Sequence, residues 1–129
     1  MSVREVIHKY ARIPFRYGAD CCTFVGECLE AAGLRNPMRD ISYEGEGEAT
    51  EIVSSYGTLS DAITAHMGKP LDDVADAREN DVVVCLTAGD EIVGIVHVTD
   101  VGVRCVLRTK HGVVDWPLQR AQRAWRARA

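Results

Sequence analysis

Apolar residues in the first half of the chain recur at helical spacing, whereas in the second half they gather into β-branched runs. Over residues 2–12, Val3, Val6, Ile7 and Tyr10 share one side of a helix, and Pro14 ends the segment because the residue before a proline avoids the helical region. Cys21, Phe24, Val25, Cys28, Leu29 and Ala32 repeat that spacing and predict the buried face of a second helix over about 20–33. Asp20 stands where its carboxylate can cap the free N–H groups of the first turn, and Gly33 where a helix ends. Arg35-Asn36-Pro37 is a turn. The stretch 41–57 is polar, with a short helix expected over 48–55. Thr58-Leu59-Ser60-Asp61 then resembles a capping box with Asp61 in place of Glu or Gln. It opens a helix through Leu59, Ile63 and Met67 that Gly68-Lys69-Pro70 terminates.

From Asp81 the period changes. Residues 81–86 form an apolar β-branched run, hence a buried strand, and Thr87-Ala88-Gly89-Asp90 is turn chemistry. Second and third strands are expected over 92–99 and 104–110, either side of a turn at Asp100-Val101-Gly102. His111-Gly112 breaks the third, 113–116 is a short fourth stopped by Pro117, and Ala124-Trp125-Arg126 is a candidate edge strand. Helices first and an antiparallel meander afterwards predict one α+β domain over 1–129.

Composition narrows the class. The apolar share of 47% and the charged share of 26% are those of an ordinary soluble globular domain. No apolar run reaches membrane-spanning length and the first residues lack a signal-peptide core, so the expectation is a protein made and kept in a cytosol, with no membrane span. A net charge of −4 argues against general nucleic-acid binding. Acidic residues crowd 72–91, while Arg120, Arg123, Arg126 and Arg128 mark the C-terminal tail. They read either as solvated faces or as a charge-complementary contact with a partner protein. Five cysteines with no C-x-x-C pair indicate neither a structural metal nor a disulfide framework, and no cofactor is implied.

The candidate chemistry lies at the start of the second helix. Cys21 falls in its first turn, where the positive end of the helix dipole favours a thiolate; proteins that exploit such positions lower the thiol pKa to roughly 3.5–7.5. The alternative is an inert, buried, small hydrophobe. Cys22, about 100° farther round the helix, reads as a packing or surface neighbour.

The stretch Pro14-Phe15-Arg16-Tyr17-Gly18-Ala19-Asp20-Cys21-Cys22-Thr23-Phe24-Val25 resembles the nucleophile motif of the NlpC-type cell-wall cysteine peptidases, a papain-like group. Asp20, Cys21, Phe24 and Val25 match that motif; Cys22 and Thr23 depart from it, standing where the family has Ser-Gly. The Asp-Cys-Cys-x-Phe form, the length and the Ala124-Trp125-Arg126 ending are similar to small phage and prophage proteins encoded among tail-assembly genes. The resemblance implies a papain-like fold, with the thiol helix packed on a small antiparallel sheet. It also implies a cysteine peptidase or amidase acting on peptidoglycan stem peptides, with phage tail proteins as partners. In that scheme Cys21 is the nucleophile, His97 the base and His111 the orienting group. Backbone N–H groups at the helix start hold the oxyanion, with Tyr17 and Cys22 in the pocket; simple turn packing is the other account of Tyr17.

Two matches to the family's second strand stay open. One keeps the histidine as His97-Val98; the other keeps Ile92-Val93-Gly94-Ile95 and puts Ile92 in the base position. His8 and His66 read as surface or packing residues, and Asp81, in an Asn80-Asp81 pair where the family has Gly-Asp, as a turn or cap residue. The segment 41–70 lengthens the usual connection between thiol helix and sheet, and can cover the substrate groove. The alternative to an enzyme is a catalytically inactive tail-tip or tail-assembly component on the same scaffold. A third idea, redox chemistry or soft-metal binding through Cys21-Cys22, is weaker, since adjacent cysteines rarely form an unstrained disulfide.

Overall fold

The computed structural model describes residues 1–39, 41, 43 and 45–129; positions 42 and 44 of the expected polar stretch lie outside them. Four helices come first: α1 (Val3–Tyr10), α2 (Cys21–Ala31), α3 (Glu46–Tyr56) and α4 (Leu59–Met67). Five strands follow: β1 (Val82–Thr87), β2 (Asp90–Thr99), β3 (Gly102–Thr109), β4 (Gly112–Pro117) and β5 (Ala121–Trp125). The fold is α+β. No helix among the described residues is long and apolar enough to cross a membrane.

The sheet order is β4-β3-β2-β1-β5, every pair antiparallel. Three hairpins with two-residue turns build the meander, and the chain then returns to pair β5 with β1 at the far edge. At the first hairpin Ala88 and Gly89 both take positive φ, 50° and 86°, which matches the twist of the flanking strands. That tight turn starts β2 at Asp90, two residues earlier than the apolar pattern implies. β5 starts at Ala121, ahead of the expected edge strand, because Gln122 and Arg123 are exposed residues on an edge and carry no apolar pattern.

Alternate residues of the strands enter two cores. Val82, Val84, Val93, Ile95, Val106 and Trp125 face the helices and meet Val6, Tyr10, Phe24, Val25, Cys28, Leu29 and Ile63. Val83, Cys85, Val96, Cys105 and Leu107 face the other way, beneath Leu71, Val74 and Leu118. Two short 3-10 turns, Val74–Asp76 and Leu118–Arg120, complete that cover and had no periodic signal in the sequence. α3 buries none of its residues and packs on α4, which anchors the pair to the helix-facing core through Ile63.

Asp81 does more than cap a turn. It is 1% exposed, accepts from the N–H groups of Arg78 (2.8 Å) and Ala127 (3.0 Å), and pairs with Arg126 Nε at 3.1 Å. Arg126 also donates to the Asp76 carbonyl, and Arg120 stacks 4.0 Å over the Trp116 ring. Part of the charge asymmetry between residues 72–91 and the tail is therefore closed inside the chain.

Candidate active-site cleft

The turn before α2 closes with an Ala19 N–H to Arg16 carbonyl bond of 2.9 Å, and Gly18 supplies the φ of +99° that it needs. Asp20 Oδ1 then accepts from the Thr23 N–H and the Thr23 hydroxyl, both at 3.1 Å. Its other oxygen accepts from the Tyr43 phenol at 2.5 Å. Three donors make burial of this carboxylate at 4% exposure tolerable. At its far end α2 stops in a Schellman motif: Leu34 N–H donates to the Leu29 carbonyl, and Gly33 N–H, at φ +75°, to that of Glu30.

So held, α2 presents Cys21, partly buried, to a cleft of about 1000 Å³. Its walls are α2, the α3–α4 pair, and the β1–β2 and β3–β4 turns. The neighbouring Cys22 thiol, and to a smaller degree the backbone at Val93 and Cys22, act on the Cys21 thiol. Together they hold its pKa below the ordinary thiol value, against burial and the Asp20 charge, which act the other way. Cys22, donor in that pair and itself enclosed, is pushed well up. Burial pushes Cys28 up to about 12, with Glu27 adding to it.

The sequence-predicted site residues divide. Cys21, Cys22, Asp20, Tyr17 and His111 all line this cleft. Tyr17 packs edge-on against Phe15, ring centres 5.3 Å apart, so it serves the turn and the pocket wall together. His111 stands exposed in the β3–β4 turn. His97 is not among the lining residues: its Nδ1 lies 2.8 Å from Glu79 Oε1, and the second Glu79 oxygen accepts from Val98 N–H. It sits four residues beyond Val93 on β2, roughly 13 Å at the usual strand rise. Val93 faces the helix side of the sheet, whereas Ile92 packs with the core on its other face and reaches the cleft only at its edge. His66 also lines the cleft, 3.2 Å from the Tyr56 phenol, and His8 is exposed on α1.

Three supports of the cleft were not read from the sequence. Tyr43 lies in a polar stretch with no periodicity to place it. Glu91 accepts from the backbone N–H and the hydroxyl of Ser60, docking the start of α4 on β2, while Trp125 Nε1 donates to Thr64 Oγ1 at 3.2 Å. Arg108, 2% exposed, donates to the carbonyls of Tyr10 (2.9 Å) and Ile13 (2.6 Å), fastening the end of α1 and the approach to α2 onto β3. Its signal was available: a cation closing the apolar run Cys105-Val106-Leu107.

The chain belongs to a family defined by a domain of unknown function, DUF6950, whose family model matches residues 1–127. No curated protein and no solved structure matches it.

Proposed function

We propose that this DUF6950 protein is a phage-tail-associated component of NlpC-like type that keeps the thiol cleft of a cysteine peptidase but lacks its general base. On this reading the cleft binds a peptide segment, with peptidoglycan stem peptides the expected class, and the protein serves as a structural part of a tail tip or tail-assembly complex after synthesis in the cytosol. One observation carries it: His97 does not line the cleft that holds Cys21 and is engaged by Glu79 farther along β2. A thiolate can attack a carbonyl without help. Expelling the amine needs a proton donor, and a positioned acid–base group is worth about 10²–10⁴ in rate. With His97 outside the cleft and held by Glu79, that contribution is missing.

Incubation of the full chain with purified peptidoglycan, with new free amines measured, tests this directly. No release above the Cys21→Ala variant is expected, alongside saturable binding of the stem peptide. The second reading, a slow amidase, is favoured by the place of His111 on the same cleft wall. Amine release that disappears in both Cys21→Ala and His111→Ala would establish it and overturn the first.

A further inference from the structure

Arg35 and Arg128 are far apart in sequence, yet the Arg35 N–H donates to the Arg128 carbonyl at 2.8 Å. Two guanidinium stems therefore start from hydrogen-bonded neighbours. Both line a concavity of about 210 Å³, together with Arg126, His66, Met67 and Gly68. The Arg128 guanidinium lies over Gly68, with Nη2 3.9 Å from where a Cβ would stand there. Of the three arginines, Arg126 is committed to Asp81 and to the Asp76 carbonyl. Among the described residues, no carboxylate pairs with Arg35 or Arg128. Like charges lining one pocket repel, and an anion between them relieves that repulsion.

We propose that this pocket, at the C-terminal end of α4, is a binding site for a phosphate group. Each guanidinium offers a planar fork of five N–H donors that fits oxyanions two at a time. Two such forks on residues lining one small pocket offer more donors than the two oxygens of a carboxylate can use, and a tetrahedral oxyanion uses them better. The pocket has room for a phosphate and a short substituent. Met67 offers an apolar wall to the substituent. The site is independent of the thiol chemistry.

The test is a titration of the full chain with inorganic phosphate, following the Gly68 amide by NMR and the thermal midpoint. Chloride at equal ionic strength and sodium acetate serve as controls. Phosphate should move the Gly68 amide saturably and raise the midpoint. The Arg35→Gln/Arg128→Gln double variant should weaken that response at least tenfold, and Cys21→Ser should leave it unchanged. An unsaturable response, one equalled by chloride, or one unaltered in the folded double variant overturns the site. Acetate binding as tightly as phosphate overturns the assignment to phosphate.

Discussion

The Tyr43 phenol donates to the Asp20 carboxylate at 2.5 Å, and the opposite oxygen of that carboxylate caps the helix that carries Cys21. One buried anion thus joins the segment leading into α3 to the thiol. Burial and the neighbouring carboxylate push the phenol pKa up, so Tyr43 remains a donor throughout the physiological range.

Asp20 separates two effects that its substitutions should pull apart. Asp20→Ala removes the cap and leaves Tyr43 unpaired, and should cost about 1–2 kcal/mol in urea unfolding. Asp20→Asn keeps a good cap but removes a negative charge that opposes the thiolate. Cys21 of the Asn variant should therefore alkylate faster than wild type at pH 6. In wild type, Cys21 should already label faster than the buried Cys28, Cys85 and Cys105. Mass-mapped iodoacetamide kinetics measure both; a slower Asn variant would mean that capping, and not charge, dominates the thiol.

His97→Ala tests the distance argument. The imidazole is hydrogen-bonded to Glu79 and lies well beyond reach of the sulfur, so Cys21 labelling near neutral pH should change less than twofold. A fall of tenfold or more would place an imidazolium at the thiolate and return His97 to the role of base.

Much of this architecture was legible because its signals are local. The caps at Asp20 and Thr58, the stop at Gly33 and the β-branched run from Val82 to Val84 each specify their element within a few residues. What was not legible depends on pairing across the chain. The apolar residues of β2 face two different cores, Val93 and Ile95 toward the helices and Val96 away, so an alternating pattern never appears. The register that sets Val93 rather than His97 on the helix side beside α2 comes from the turn at Ala88-Gly89. Tyr43 and Arg108 act through partners 23 and 98 residues away.

Gly94 faces β3 with no room for a side chain. A Cβ there would stand 2.8 Å from both Leu107 Cγ and the Val106 carbonyl oxygen, and the latter is backbone that cannot swing aside. Gly94→Ala should destabilise the fold by about 1–3 kcal/mol, as overpacking does. Gly47→Ala, with open space around it on exposed α3, should be neutral or slightly stabilising. Equal urea midpoints for the two variants would mean that β2 and β3 relax apart at no cost.

The last prediction concerns alkaline pH. Cys28 is fully buried against Phe24 and Leu29 in the helix-facing core, and its thiol pKa rises to about 12 in the fold. In the unfolded chain it returns to about 8.5. The folded state therefore holds this proton more tightly, and the associated stability is fully present below pH 8.5. It is lost progressively as pH rises toward 12, because the unfolded chain ionises first. Tyr10 is raised in the same sense, so it adds to the loss only above about pH 10. Cys28→Ala removes the first component at a cost of about 1 kcal/mol at pH 7 for the lost sulfur contacts. Between pH 8.5 and pH 10 wild type should then lose about 2 kcal/mol more than the variant, at up to 1.36 kcal/mol per pH unit. Urea midpoints at pH 7, 8.5 and 10 for both proteins read this out. Parallel curves would show that the Cys28 proton is no better held in the fold than outside it.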